Sequence, residues 1–140
     1  MITSLPVNTV QLIQQTQWKL MHLNIYIDDA DLDEGDLNKL LTPVSESISA
    51  WVGENKKNVQ LLAQLSENGE VLKLGISIQV KSKFKLKDPL NFLYSLAKEH
   101  KCEFAIAIIT PETGASEDVC YFGFEEGQPD LFEIANYLDL

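Results

Sequence analysis

Arginine is absent from this chain of 140 residues. All 11 basic residues are lysines, they face 21 aspartates and glutamates, and the formal net charge is -10. Such a chain is poorly suited to nucleic acid, whose recognition draws on phosphate neutralisation and on the bidentate fork of arginine. Long apolar runs are missing too. No stretch approaches the roughly 18 unbroken apolar residues of a membrane span, and the N-terminus has neither a basic start nor an apolar signal core. The expectation is a soluble cytoplasmic protein with no membrane partner. Cysteine is scarce: Cys102 and Cys120 each sit in an apolar run, at a spacing that fits neither a CxxC pair nor a zinc knuckle. Free thiols are expected, with a disulfide between neighbouring strands as the alternative. Seven glycines and five prolines are scattered as punctuation, so no linker or low-complexity tract divides the chain, and no repeat is visible. The length and a 45% hydrophobic content fit one domain over residues 1–140.

Motifs that carry chemistry are also lacking. There is no GxSxG, no HExxH, no phosphate-cradling glycine loop and no HxE with CxxC. No catalytic residue, metal site or cofactor is therefore assigned, and the chain reads more readily as a binding protein than as an enzyme. A dyad such as His22 with Glu103 or Cys120 would have to be assembled by the fold alone.

What is present is a series of elements. Trp18 to Ile27 alternates, with Met21, Leu23, Ile25 and Ile27 on one side, and predicts a strand; Leu5 to Gln15 is read as a short helix after Pro6, with another strand as the alternative. Leu37, Leu40 and Leu41 begin a helix that Thr42-Pro43 interrupts and restarts, after which Val44, Ile48, Trp51 and Val52 carry the stripe to Gly53. Around Asn68-Gly69, a dipeptide that favours a two-residue turn, the alternation predicts a hairpin. Its register sets Val59 opposite Ile78, Leu61 opposite Ile76, Ala63 opposite Leu74 and Leu65 opposite Leu72, all on a core-facing side. The second strand reads on to Leu86, with a bend or bulge expected near Ser82. Asp88-Pro89 then opens a helix with Leu90, Leu93, Leu96, Ala97 and His100 on its stripe. Cys102 to Thr110 is apolar on both faces and reads as an interior strand. Val119 to Phe124 adds a strand beside it, and Asp130 starts a last helix bearing Leu131, Ile134, Ala135 and Leu138.

From Trp18 the order is strand, helix, strand, strand, helix, strand. The expected class is α+β: a ferredoxin-like split βαβ core (βαββαβ) with an added C-terminal strand and helix on a mainly antiparallel sheet. The helices would cover one face of the sheet. The other would be open unless the last helix or the N-terminal segment covers part of it.

Charge supplies the candidate sites. Asp28, Asp29, Asp31, Asp33, Glu34 and Asp36 place six carboxylates in nine residues. A calcium loop starting at Asp29 fails, because its glycine place holds Glu34 and its closing glutamate place holds Leu40. The segment reads as an acidic turn that caps the Leu37 helix, with Asp31 and Glu34 at capping-box spacing, or as a partner-binding patch. Five lysines and no acid lie between Lys73 and Lys87. Of these Lys81, Lys83, Lys85 and Lys87 form either a solvated strand edge or a stripe for an acidic partner. Trp18, Leu20, His22 and Tyr26 share the outer face of the first strand, where Trp18, His22 and Tyr26 offer a small-ligand site.

Two function classes follow. The first is a non-enzymatic interaction module that meets a basic protein partner through its acidic surface, as inhibitors and immunity-type proteins do. The second is a ligand-binding regulator or enzyme using the open sheet face. A homodimer pairing the Lys81 to Lys87 edge with the Asp28 to Asp36 loop of another copy is compatible with either.

Overall fold

The computed structural model describes residues 20–30, 32–33, 35–53 and 57–138. The Leu5 to Gln15 helix reading therefore lies outside the described residues, as do Trp18, Asp31 and Glu34. The described chain is α+β, with five strands and three helices. Strand β1 (Met21–Asp28) is followed by helix α1 (Asp36–Val52), then β2 (Val59–Leu65) and β3 (Val71–Val80). A 3-10 turn (Lys83–Leu86) leads into α2 (Lys87–His100), β4 (Glu103–Ile109), β5 (Ser116–Gly123) and α3 (Leu131–Tyr137). The sheet order is β2-β3-β1-β4-β5, and every neighbouring pair is antiparallel.

Period-two alternation sets which side of each strand is buried. In β1 Met21, Leu23, Ile25 and Ile27 are buried, as expected, and they line up with Ile78, Ile76 and Phe104 of the adjacent strands. Val44 and Ile48 of α1, Leu90, Leu93 and Leu96 of α2, and Ile134 and Leu138 at the end of the chain join the same cluster. Fully burying side chains of this size contributes about 1.5–3 kcal/mol each. Phe104 and Phe122 stack with centroids 5.5 Å apart inside the cluster. The last helix thus packs on the face already covered by α1 and α2, so it does not cover the opposite face.

Four local expectations need correction. Helix α1 is continuous through Pro43, where the sequence predicts a break. The stripe Leu37, Val44 and Ile48 stays in phase across that exposed proline, and its burial outweighs the roughly 3 kcal/mol that an interior proline costs. Its first turn has Gly35 as N-cap, without a side-chain cap. The hairpin turn is longer than two residues. The predicted pairs Val59 with Ile78, Leu61 with Ile76 and Ala63 with Leu74 are present, but a bulge after Gln64 sets Leu65 opposite Val71. Ser66 N–H donates to Glu70 O at 2.8 Å, and Gly69 N–H donates to Ser66 O at 3.0 Å. Val71 is consequently buried, while Leu72 is 56% and Leu65 49% exposed, so the tip of the hairpin does not face the core.

The third correction concerns the lysines. β3 ends at Val80, and the bend falls at Ser82, whose Oγ accepts the Phe84 N–H at 3.2 Å. The turn that follows buries Leu86 completely. Lys81 to Lys87 therefore do not form a strand edge, and β3 itself lies inside the sheet between β2 and β1. The fourth is Asp88, which lies in the first turn of a helix already begun at Lys87 rather than at its N-cap. Asp130 does cap α3, its Oδ1 accepting the Phe132 and Glu133 N–H groups at 3.0 and 3.1 Å.

Candidate functional site

The antiparallel registers gather carboxylates at one end of the sheet. Asp28 closes β1 directly opposite Glu103, which opens β4 and itself faces Gly123 at the end of β5. The Glu103 carboxylate accepts the N–H groups of Glu125 (2.8 Å) and Glu126 (2.9 Å), which locks that acidic turn beside it. Gly123 is required there, because a Cβ would lie 2.7 Å from the Cys102 carbonyl oxygen. The loop after β1 adds Asp29, Asp33 and Asp36. Asp36 Oδ2 accepts the Asp33 N–H at 3.1 Å, and its other carboxylate oxygen lies 3.6 Å from Lys39 Nζ in an exposed pair. The Asn38 side chain accepts the Val71 N–H at 2.8 Å and so ties the start of α1 to the hairpin. Asp29, Asp33 and Glu70 line the resulting depression of about 320 Å³.

Lys57, Lys81, Lys83, Lys85 and Lys87 lie toward the other end, whereas Lys39 and Lys101 lie at the acidic one. A groove of about 570 Å³ runs between the end of α1, the start of β2 and the 3-10 turn, lined by Trp51, Lys57, Lys81, Phe84 and Lys85. Trp51 stacks on Phe92 at 4.6 Å with rings nearly parallel. Lys83 Nζ sits 5.5 Å from the Phe84 ring and 5.4 Å from that of Phe132. Lys87 is exposed at the start of α2. The acidic loop and Lys81 to Lys87 are thus brought to opposite ends of the strands, not together. Lys73 is the exception on the sheet, on the face opposite the described helices with its Nζ 4.8 Å from the Tyr26 ring.

On that face, Tyr26 O–H donates to Asp118 Oδ1 at 2.5 Å, and His22 Nε2 and Ser77 Oγ share a 2.8 Å hydrogen bond. Burial first, and then the bond and charge of Asp118, push the Tyr26 phenol above its ordinary value. The second face of β4 is made by Ala105 and Ala107, both buried; Ala105 lies in register between Tyr26 and Tyr121. Cys102 and Cys120 are free, and burial pushes their thiols up to about 12 and about 11. Among the described residues no group of three or more His, Cys, Asp or Glu side chains is placed to hold a metal ion. No helix among them is long and apolar enough to cross a membrane.

Sequence reasoning missed Glu67, Glu70, Glu103, Glu125 and Glu126 as parts of the acidic end, and Trp51 and Lys57 as parts of the groove. Glu67 and Glu70 flank the Asn68-Gly69 turn, so the hairpin pattern held a usable signal. The place of Glu103 follows only from pairing across the sheet. Compared with protein-family models, curated proteins and solved structures, the chain matches none.

Proposed function

We propose that this chain is a non-enzymatic protein-interaction module of the inhibitor or immunity type, acting in the cytoplasm, whose acidic sheet end binds a basic partner protein. The observation that carries the reading is the gathering of carboxylates from three separate parts of the chain at one end of the sheet: the loop after β1, the β2–β3 turn, and Glu103 with the turn after β5. Carboxylates outnumber lysines at this end, where Lys39 and Lys101 also lie, and a net negative field of this kind steers encounter with an oppositely charged surface. We also assign the scaffold to the ferredoxin-like split βαβ arrangement. The order β2-β3-β1-β4 with antiparallel neighbours supports it, as do a helix between β1 and β2 and another between β3 and β4, with β5 added outside β4. The test is affinity capture from the native cell at low and then moderate salt. A basic protein retained at low salt and depleted at moderate salt is expected; capture of no basic protein at either salt contradicts the reading.

A second reading is a small-ligand site on the face opposite the described helices, favoured by the packing of α3 with those helices, which leaves the His22–Ser77 and Tyr26–Asp118 pairs on this face. A metabolite panel scored by thermal shift tests it. A stabilising compound whose effect is lost in His22→Ala and Tyr26→Phe would move the assignment to this face, and the absence of any such compound removes it.

A further inference from the structure

The two edges of the sheet are built differently. β5 is guarded: Glu117 and Asp118 are exposed on it, and its ladder to β4 is bulged after Ile106. β2, at the other edge, reads Val-Gln-Leu-Leu-Ala-Gln-Leu from Val59 to Leu65, without a charge or a proline. Among the described residues β3 is its one strand neighbour. Gln79 N–H donates to Asn58 O at 3.0 Å, and the alternation of an antiparallel ladder then makes Gln60 with Ser77 and Leu62 with Gly75 the hydrogen-bonded pairs. The backbone N–H and C=O groups of Val59, Leu61 and Ala63 consequently aim away from β3.

We propose that this edge pairs antiparallel with β2 of a second copy of the chain, about a two-fold axis through Leu62, to give one continuous sheet across the dimer. The strand is close to a palindrome about that residue. Leu61 would face the partner's Ala63, Gln60 the partner's Gln64 and Val59 the partner's Leu65, so apolar residues oppose apolar ones on the helix side and amides oppose amides on the other. Leu61 and Leu65, 37% and 49% exposed in one chain, gain apolar neighbours from the pairing. A seven-residue ladder buries less than the roughly 1,200 Å² of a standard interface, which places the dissociation constant in the micromolar range or weaker. The seven paired residues carry no charge, and the same register brings Lys57 beside the partner's Glu67 at each end.

Sedimentation from micromolar to sub-millimolar concentration tests this, with circular dichroism to confirm folding of each variant. The mass is expected to rise toward twice that of one chain. Gln60→Lys with Gln64→Lys sets like charges opposite each other twice and is expected to weaken the dimer about tenfold or more, whereas Gln60→Lys with Gln64→Glu sets opposite charges there and retains it. Ala63→Pro removes an outward-facing N–H and blocks the ladder without touching a bond to β3. A monomer at every concentration overturns the proposal. So does a dimer that survives unchanged in both the double-lysine and the proline variants.

Discussion

The Tyr26 hydroxyl donates a 2.5 Å hydrogen bond to Asp118 Oδ1 and so ties β1 to β5 across the intervening β4. The reach is allowed by Ala105 and Ala107, whose small side chains leave room above β4 for rings and carboxylates from both sides. That accounts for a strand apolar on both faces even though the described helices lie on one.

Tyr26→Phe is expected to lower unfolding stability by about 1 kcal/mol, since it removes a partly exposed charge-assisted bond and leaves an acceptor that water can reach. Urea denaturation measures it. Absorbance titration of the phenols provides an independent readout: Tyr26 ionises late in the wild type, and Asp118→Asn moves its transition part of the way toward the ordinary tyrosine value by removing the charge while burial remains.

Gly75 and Gly69 should respond very differently to alanine. A Cβ at Gly75 would collide with the Ile25 carbonyl and the Tyr26 backbone, so β1 and β3 would have to part. Gly75→Ala is expected to cost more than about 4 kcal/mol or to abolish folding. Gly69 has φ +80 with open space around it, and Gly69→Ala is expected to cost about 1 kcal/mol through backbone strain alone. Denaturation midpoints, with soluble yield for the first variant, separate the two.

The thiols give a dependence on pH. Cys102 and Cys120 ionise near 9.0 in the unfolded chain, but at about 12 and about 11 when folded. Between those values the unfolded chain releases protons that the folded chain keeps, so the stability tied to the thiols is complete below pH 9 and is lost as pH rises above it. The informative comparison is the fall in melting temperature across pH 9 in the wild type and in Cys102→Ala with Cys120→Ala, where a shallower fall is expected.

Periodicity carried most of the fold. The alternation of Met21, Leu23, Ile25 and Ile27, the register of Val59, Leu61 and Ala63, and the stripe from Leu90 to Ala97 were legible because each reports a face that must be buried. Lys81 to Lys87 alternate just as regularly, yet form a turn and a helix start, because burial of the single residue Leu86 and the Ser82 cap outweigh a pattern made of solvated lysines. The Asn68-Gly69 signal located the turn but not the bulge that swaps Val71 for Leu72, a choice made by packing under α1. In the site, the acidic loop after β1 was visible as a run. Glu103 and the Glu125–Glu126 turn were not, since Glu103 meets that turn only through the β4–β5 pairing and meets Asp28 only through the β1–β4 pairing.

In the proposed function, the acidic sheet end is the surface that meets a basic partner. That reading is tested most directly by the association rate between the chain and its captured, purified partner, measured for the wild type and for Asp29→Asn with Asp33→Asn and Glu70→Gln. These are exposed positions whose neutralisation leaves the core intact. The account predicts an association rate lower by about tenfold or more at low salt, a difference that shrinks as salt rises, and a dissociation rate that changes far less. Equal association rates for the two proteins at low salt would contradict it.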